Sequence, residues 1–349
     1  MHGVNAYDIV QEWCRRVKPD CAFAGATKAD FQKWRARFAR HYRRCLGRWP
    51  GRVPPPRMRV LERVERDGYT REKIIFDSSP GVSVPAYLLI PEGIRPGERR
   101  PGILAAHGHG AGKASICGVT REQEPDPRVR ARMVNNEYAV HAVKRGYVVI
   151  APDWIPFGAR RPPEWWTRER RDACDMSSMA LQYFGRTLLA QNVWDGMRAV
   201  DVLREHPNVD PDRIGVIGLS YGGTMATHLL INDRRIKAGV VSGYVSTVRG
   251  DALGPRGKGN TCGAQYVPGL LLHGDIPDML GLAVPKPVLF EMGKRETTFH
   301  FPDMIKAYRH LARIYRAAGA ADRIGRDAFN GDHRWNGRRA WDWLARWLS

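Results

Sequence analysis

The sequence has no uninterrupted run of about 18 apolar residues, the length a helix needs to cross a bilayer. Its start, MHGVNAYDIVQEWC, contains an early acidic residue and lacks the apolar core of a signal peptide. Cysteine is also scarce. Six cysteines occur in 349 residues without CxxC spacing, a density too low for a disulfide scaffold. These absences predict a cytoplasmic protein without a membrane span and with free thiols.

A concentrated block of Lys or Arg is missing as well, although the formal net charge is +20. Such an excess attracts nucleic acid, anionic membrane surfaces or acidic substrates. Here the basic residues are spread along the chain, and no RNA- or DNA-binding motif accompanies them. This spread favours a generally basic composition, and we expect no nucleic-acid partner.

The sequence does contain a series of short, almost wholly apolar runs separated by helix-like segments. Strands that are apolar on both faces and alternate with helices are typical of a parallel sheet covered on both sides. The pattern predicts an α/β fold with a mostly parallel, doubly wound sheet and helices on both faces. The runs are GILAAH (102–107), YVVIAP (147–152), IGVIG (214–218), AGVVSG (238–243) and PVLFEMG (287–293).

A basic amphipathic helix is predicted near the N-terminus. Phe31, Trp34 and Phe38 share one face of it, and Thr27 with Asp30 fits a capping box at its start. We expect this apolar face to pack on its own domain. A homo-oligomer formed through the N-terminal helices, or contact with a membrane surface, are the alternatives.

The segment GLSYG (218–222) follows the apolar run IGVIG and precedes helix-like sequence. It matches G-x-S-x-G, the nucleophile elbow, in which a tight strand-to-helix turn exposes a serine hydroxyl and the glycines avoid steric clashes. The helix that begins near Tyr221 directs its free N–H groups towards that hydroxyl. Ser220 is therefore the predicted nucleophile.

A serine hydroxyl needs a base, and the base needs a carboxylate to orient it. His333 lies in the turn NGDHRWNG after a predicted strand, which is where a general base is expected. His228 lies eight residues into the helix after the serine, too far along it to reach. His310 lies off the apolar stripe of another helix and is expected to face solvent.

Two places in the sequence offer the acid. Glu296 follows the strand-like run PVLFEMG, whereas Asp275 and Asp278 follow GLLLHG, which is interpreted as a connection over the sheet. We favour Glu296 on strand placement, and Asp278 is the main alternative.

The predicted oxyanion hole combines the backbone N–H groups of Tyr221 and His109, because the loop AAHGHGAGK allows close approach of its backbone. The H-x-H spacing in this loop could suggest a metal pair, but no carboxylate or thiol cluster accompanies it in the sequence. We predict no metal and no cofactor. Trp154 and Trp335 are predicted to contact substrate, and residues 157–188 are long enough for a lid or pocket wall.

The ordered set AAHGHG, GLSYGG, PVLFEMGKRETTF and FNGDHRWNG resembles the α/β-hydrolase superfamily, in its dienelactone-hydrolase-like and acetyl-xylan-esterase-like bacterial branch. The resemblance implies a Ser-acid-His esterase without a cofactor that acts on small or carbohydrate-linked esters. Dienelactone hydrolases carry a cysteine nucleophile, so Ser220 argues against their reaction. Glu296 stands where the superfamily more often has Asp.

These patterns divide the chain into an N-terminal helical extension and linker (residues 1–56) and an α/β-hydrolase catalytic domain (residues 57–349). The leading hypothesis is a serine carboxylic ester hydrolase acting on a small-molecule ester. A serine peptidase of prolyl-oligopeptidase type is the enzymatic alternative, although the chain has no room for a propeller-sized N-terminal domain. A catalytically silent hydrolase fold that serves as a binding module is the non-enzymatic alternative.

Overall fold

A computed structural model describes residues 4–51, 53–119, 136–167, 173–253 and 262–349. Nine strands form one sheet, and they are β1 (Arg59–Arg66), β2 (Tyr69–Ser79), β3 (Val82–Pro91), β4 (Arg100–Ala106), β5 (Val148–Pro152), β6 (Val209–Leu219), β7 (Ile236–Ser242), β8 (Val288–Gly293) and β9 (Ile324–Phe329). Their order across the sheet is β1-β2-β3-β5-β4-β6-β7-β8-β9. Strands β4 to β9 run parallel, whereas β1, β2 and β3 add an antiparallel edge.

Helices cover both faces of the sheet. The described α-helices are α1 (Ala6–Arg16), α2 (Lys28–Leu46), α3 (Lys113–Ile116), α4 (Tyr138–Val143), α5 (Glu164–Thr167), α6 (Ala173–Gln182), α7 (Leu188–Glu205), α8 (Tyr221–Asn232), α9 (Leu270–His273), α10 (Ile276–Leu280), α11 (Phe301–Ala317) and α12 (Ala340–Trp347). One core lies beneath α2, α7, α8 and α11, and the other beneath α4 and α12. None of the helices described combines the length and apolar character that a bilayer-spanning helix needs.

This architecture confirms the predicted α/β-hydrolase fold with a mostly parallel sheet. The predicted apolar runs all lie in strands, because a strand packed on both faces needs apolar side chains at every position. Strand β1 was not predicted. Most of its residues are exposed, and the strand is held by backbone pairing with β2. Such a strand needs few apolar side chains, so a search for apolar runs does not detect it.

Helix α2 packs on the chain's own core. Its capping box is present, since Thr27 and Asp30 each accept from the other's backbone N–H. Its apolar face is buried, and the helix contacts α9, α11 and the short turn Gly281–Ala283. Helix α1 contributes no buried residue and leaves Trp13 exposed. The apolar stripe read from the sequence thus serves intramolecular packing in α2.

A buried hydrogen-bond chain ties α2 to α8, the helix that follows Ser220. The Tyr42 hydroxyl accepts from Asn232 (2.8 Å) and lies 2.6 Å from Nδ1 of His228, to which it donates. Burial lowers the pKa of His228 to about 3, so the ring is neutral and its Nδ1 can accept. His228 therefore has a structural contact well inside the helix, away from the serine.

We predict that Tyr42→Phe lowers the free energy of unfolding by about 2 kcal/mol, because it leaves the buried Nδ1 of His228 without its donor. Urea unfolding followed by circular dichroism measures this. Tyr183→Phe is the matched control, since the Tyr183 side chain is 92% exposed and its hydroxyl can bond to water. Equal stability of the two variants would contradict the proposed link.

Candidate active site

Ser220 occupies a strained turn between β6 and α8. Its φ is 61° and its ψ is −122°, a conformation that residues other than glycine rarely adopt. The backbone is held there by the Ser220 N–H, which donates to Ser242 on β7 (2.9 Å), and by the Ser220 carbonyl, which accepts from Thr224 (3.0 Å). The turn projects the serine side chain from the carboxyl edge of the sheet.

Steric contact explains why glycines flank this turn. A Cβ on Gly218 would lie 2.1 Å from the Gly222 carbonyl oxygen, and one on Gly222 would lie 1.9 Å from the carbonyl oxygen of Ala106. Both neighbours are backbone atoms, which cannot rotate away. Only glycine therefore lets β6, β4 and the start of α8 approach as closely as the elbow requires.

His333 and Glu296 come together from two loops. His333 Nδ1 donates to Glu296 Oε2 at 2.9 Å, and the Glu296 side chain is 1% exposed. The other carboxylate oxygen accepts from the backbone N–H of Thr298 (2.9 Å). This arrangement leaves Nε2 as the imidazole nitrogen available to a reacting group.

The pairing follows from the positions of β8 and β9, which are parallel neighbours. Their loops are joined by backbone hydrogen bonds from Lys294 to Phe329 (2.9 Å) and from Arg295 to Gly331 (2.8 Å). Glu296 and His333 stand beside these two contacts. The sheet topology thus brings together residues that are 37 positions apart.

A buried carboxylate on β8, which sequence reasoning missed, also supports the histidine loop. Glu291 is fully buried and accepts from the backbone N–H groups of Asn336 (3.1 Å) and Gly337 (2.7 Å). Burial raises the pKa of Glu291 to about 7. The sequence does contain a signal for this role, a glutamate inside an otherwise apolar strand. A buried carboxyl group normally has hydrogen-bond partners, so its position indicates a structural contact.

Asp278, the alternative acid, lies in a different network. Its Oδ1 accepts from the backbone of Phe23 (2.8 Å) and is 2.8 Å from Nε2 of His310, and its Oδ2 accepts from the backbone of Asp275 (3.0 Å). The expectation that His310 faces solvent holds only in part, because this carboxylate anchors the ring and its side chain is 24% exposed. Asp278 fastens the N-terminal segment to α10 and α11.

The loop after β4 is organised from beneath by buried polar groups. The backbone N–H of Trp154 donates to Nε2 of His107 (3.0 Å), whose Nδ1 donates to the Gly108 carbonyl (2.7 Å). Burial lowers the pKa of His107 to about 4, which keeps the ring neutral. Asp153 accepts from the backbone N–H and the ammonium of Lys113, each at 2.7 Å. These contacts fix the loop that carries His109.

Ser220, His333 and His109 line one cavity of about 470 Å³. The structure contains no hydrogen bond between the Ser220 hydroxyl and the imidazole among its described residues; such contacts often form only when substrate binds. A larger, mainly apolar cavity of about 910 Å³ shares Gln265 and Phe299 with the first. Ser220 and His333 line only the smaller of these two cavities.

Trp154 and Trp335, the predicted substrate contacts, lie elsewhere. Trp154 is completely buried, packing near His107, and Trp335 is 2% exposed and packs on Tyr138 and Trp341. Neither lines the cavity of Ser220. Both indoles therefore belong to the core, where burial of a large aromatic ring contributes favourable free energy.

His109 lies beside two thiols that are distant in sequence. Its Nε2 is 2.9 Å from Sγ of Cys262, and Cys174 completes a group whose donor atoms all lie within 4.8 Å of one another. Hydrogen bonds with Cys174 and His109 hold the pKa of Cys262 below its usual range. The sequence-based expectation that no thiol cluster accompanies the H-x-H pair is therefore wrong for the folded chain. None of the six cysteines forms a disulfide.

The predicted lid segment, residues 157–188, combines short helices with turns in the parts that the structure describes. It includes α5 and α6, and residues 168–172 lie outside the described residues. Cys174 on α6 brings this segment close to the cavity wall at Cys262. Its contribution as a pocket wall remains a prediction.

A parallel sheet with a strained serine at a glycine-flanked strand-to-helix turn defines the α/β-hydrolase fold. The model of the Abhydrolase family matches residues 2–322, and the chain belongs to that family. A Bacillus subtilis protein named as a candidate hydrolase, YtaP, is 28% identical over 285 residues, which is 80% of this chain and 87% of that protein.

Two solved structures share the fold at low sequence identity. A candidate acetyl xylan esterase from Bacteroides fragilis has a TM-score of 0.80 and 20% identity, and the match covers 99% of this chain and 95% of that one. A glucuronoyl esterase from Solibacter usitatus has a TM-score of 0.66 and 16% identity, with coverage of 96% and 98%. Both similarities extend across nearly the whole chain.

We predict that Gly222→Ala lowers the free energy of unfolding by about 3 kcal/mol, because its Cβ would overlap the Ala106 carbonyl. Thermal and urea unfolding measure the change. Gly51→Ala is the control, since nothing lies within 4 Å of a Cβ placed there. A fully stable Gly222→Ala variant would mean that the elbow tolerates a side chain at this position.

Proposed function

We propose that this protein is a serine-dependent carboxylic ester hydrolase that works through a Ser220–His333–Glu296 triad and an acyl-enzyme. The observation that carries the proposal is that a strained serine and a carboxylate-bound imidazole line one cavity. Membership of the Abhydrolase family supports a hydrolase reaction. The proposed domain division, with residues 57–349 as the catalytic domain, places all three side chains in one unit.

The proposed reaction begins with attack of the Ser220 hydroxyl oxygen on the ester carbonyl carbon. His333 Nε2 takes the hydroxyl proton and returns it to the departing alcohol, and water then releases the acyl group with the same histidine as base. Glu296 holds the Nδ1–H tautomer and stabilises the imidazolium that forms. Burial of the carboxylate strengthens this interaction, because water does not compete for it.

The backbone N–H groups of Tyr221 and His109 are the proposed oxyanion donors. Tyr221 is the first residue of α8, where N–H groups lack intrahelical partners and the helix dipole favours negative charge. Its side chain is fixed in the core, where Asn192 donates to the phenol oxygen at 2.8 Å. The buried contacts beneath the His109 loop supply the rigidity that an oxyanion hole needs.

The proposed substrate is a small or carbohydrate-linked ester. A cavity of about 470 Å³ lies in the range of small-molecule sites. The names of the structural neighbours, acetyl xylan esterase and glucuronoyl esterase, agree with an ester on a sugar. The net charge of +20 favours acidic esters, such as those that bear a uronate.

We expect a fluorophosphonate probe to form an adduct on wild-type protein and none on Ser220→Ala, because the probe requires an activated serine. Intact mass and peptide mapping identify the labelled residue. Ser115→Ala should keep the adduct, because Ser115 lines the same cavity but its hydroxyl donates to the Gly112 carbonyl (2.7 Å). Folded wild-type protein that takes no label would favour a silent binding module.

The same preparations should hydrolyse aryl esters, with kcat lower by about 10⁴-fold or more in Ser220→Ala. A series of increasing acyl length measures the size of acyl group that the site accepts. A prolyl peptide substrate run beside it tests the peptidase alternative. Hydrolysis of the peptide alone would overturn the esterase proposal.

Glu296→Gln should lower kcat by about 10²- to 10⁴-fold, because the amide no longer selects the Nδ1–H tautomer of His333. Asp278→Asn is the matched control and should retain most of the activity while losing stability, since Asp278 anchors Phe23 and His310. Steady-state kinetics and unfolding on both variants separate the effects. A smaller loss of kcat in Glu296→Gln than in Asp278→Asn would identify the other carboxylate as the acid.

A further inference from the structure

One side-chain cluster on the wall of the Ser220 cavity has no part in the proposed triad. It consists of His109 after β4, Cys174 on α6 and Cys262 before α9, and we call it the His109 cluster. The imidazole Nε2 and the two Sγ atoms lie within 4.8 Å of one another, and Nε2 is 2.9 Å from Sγ of Cys262. Three separate segments of the chain thus direct soft donor atoms at one point.

Two sulfurs and an imidazole nitrogen form the donor set that thiophilic divalent cations prefer, and Zn²⁺ is the common one. Around a tetrahedral zinc ion such donors stand about 3.5 Å apart. The separations in the structure, 2.9 Å between Nε2 and Sγ of Cys262 and up to 4.8 Å within the cluster, lie on either side of this value. Three protein donors leave a fourth coordination position, which would open to the cavity that His109 and Cys262 line.

The surrounding structure holds the three donors in place. Cys174 is 2% exposed, and the backbone N–H of Gly263 donates to Asp175 at 2.8 Å, which fixes the chain at Cys262 against α6. A Cβ on Gly263 would come within 2.5 Å of the Ser178 Cβ, so the two segments are in close contact. Donors held in this way bind an ion at a small cost in conformational entropy.

A second group of donor atoms, formed by Asp20, His41 and His273, serves as a comparison. Its atoms also lie within 4.8 Å of one another, but it contains no sulfur, and Asp20 is half exposed. Its contacts are already those of a surface network, since Asp20 binds His273 (2.9 Å) and the two imidazoles stack at 3.8 Å. A variant of this group therefore serves as a control for weak metal binding by histidine.

We propose that His109, Cys174 and Cys262 bind a thiophilic divalent cation with the chemistry of Zn²⁺, and that the bound ion inhibits ester hydrolysis at Ser220. On binding, each thiol releases its proton to solvent and its sulfur donates an electron pair to the ion. The ion would occupy the wall of the substrate cavity and tie α6 to the His109 loop. The inhibitory part rests on the proposed esterase function, whereas the binding part does not.

Cobalt titration tests the site directly. The metal-free protein is reduced, its free thiols are counted, and Co²⁺ is added. We expect a thiolate-to-cobalt charge-transfer band that saturates at one equivalent and disappears when Zn²⁺ displaces cobalt. The double variant Cys174→Ser/Cys262→Ser should lose the band, whereas Cys45→Ser and His41→Ala should retain it.

Circular dichroism and thermal unfolding show whether each variant is folded, and His109→Ala, which spares both thiols, gives a second test through weaker cobalt binding. Fully reduced wild-type protein without the band would overturn the site. A band that persists in a folded Cys174→Ser/Cys262→Ser variant would overturn it equally.

Zinc inhibition is then measured as the ratio of aryl-ester hydrolysis with and without one equivalent of Zn²⁺. We expect wild-type activity to fall in step with zinc occupancy and the ratio for Cys174→Ser to stay near one. Occupancy without loss of activity would overturn the inhibitory part. Metal-free protein that neither labels at Ser220 nor hydrolyses esters would instead contradict the proposed function, and the cobalt titration would still decide the site.

Discussion

The close approach of backbones around Ser220 is the constraint on which the candidate site depends. The residue adopts a φ of 61° because Gly218 and Gly222 let β6, β4 and α8 meet at distances that any Cβ would prevent. The conformation is unfavourable by itself and persists because the surrounding sheet and helix determine it. The same close packing places the start of α8 beneath the serine, where free N–H groups can face a developing negative charge.

Buried polar groups extend this rigidity to the loops at the same edge of the sheet. Asp153 and His107 support the loop of His109, and Glu291 holds the loop that carries His333. Each group lies in the core and uses backbone N–H groups as partners, which fixes loop conformation as well as side-chain position. Residues that touch no substrate thus set the geometry of those proposed to do so.

The N-terminal region is attached to this unit by apolar packing and by buried hydrogen bonds. Helix α2 buries an apolar face and is joined to α8 by the Tyr42–His228 hydrogen bond. The segment that precedes α2 is held by the hydrogen bond from the Phe23 backbone to Asp278. The first of these reaches α8, the helix that starts at the elbow. The packing of α2 therefore bears directly on the position of α8.

Much of the molecule is determined by local pattern, and the sequence by itself indicates it. Apolar runs identify the central strands because both faces are buried, and the glycines of GLSYG identify the elbow because the steric demand is local. Chain order and strand placement also favoured Glu296 and His333, which lie at the ends of neighbouring strands. Only tertiary structure decided the rest. Trp154 and Trp335 are buried, His310 binds Asp278, and Cys174 and Cys262 meet His109. Such contacts join residues tens to hundreds of positions apart, and no periodicity records them, because the folded path of the chain alone sets which side chains meet.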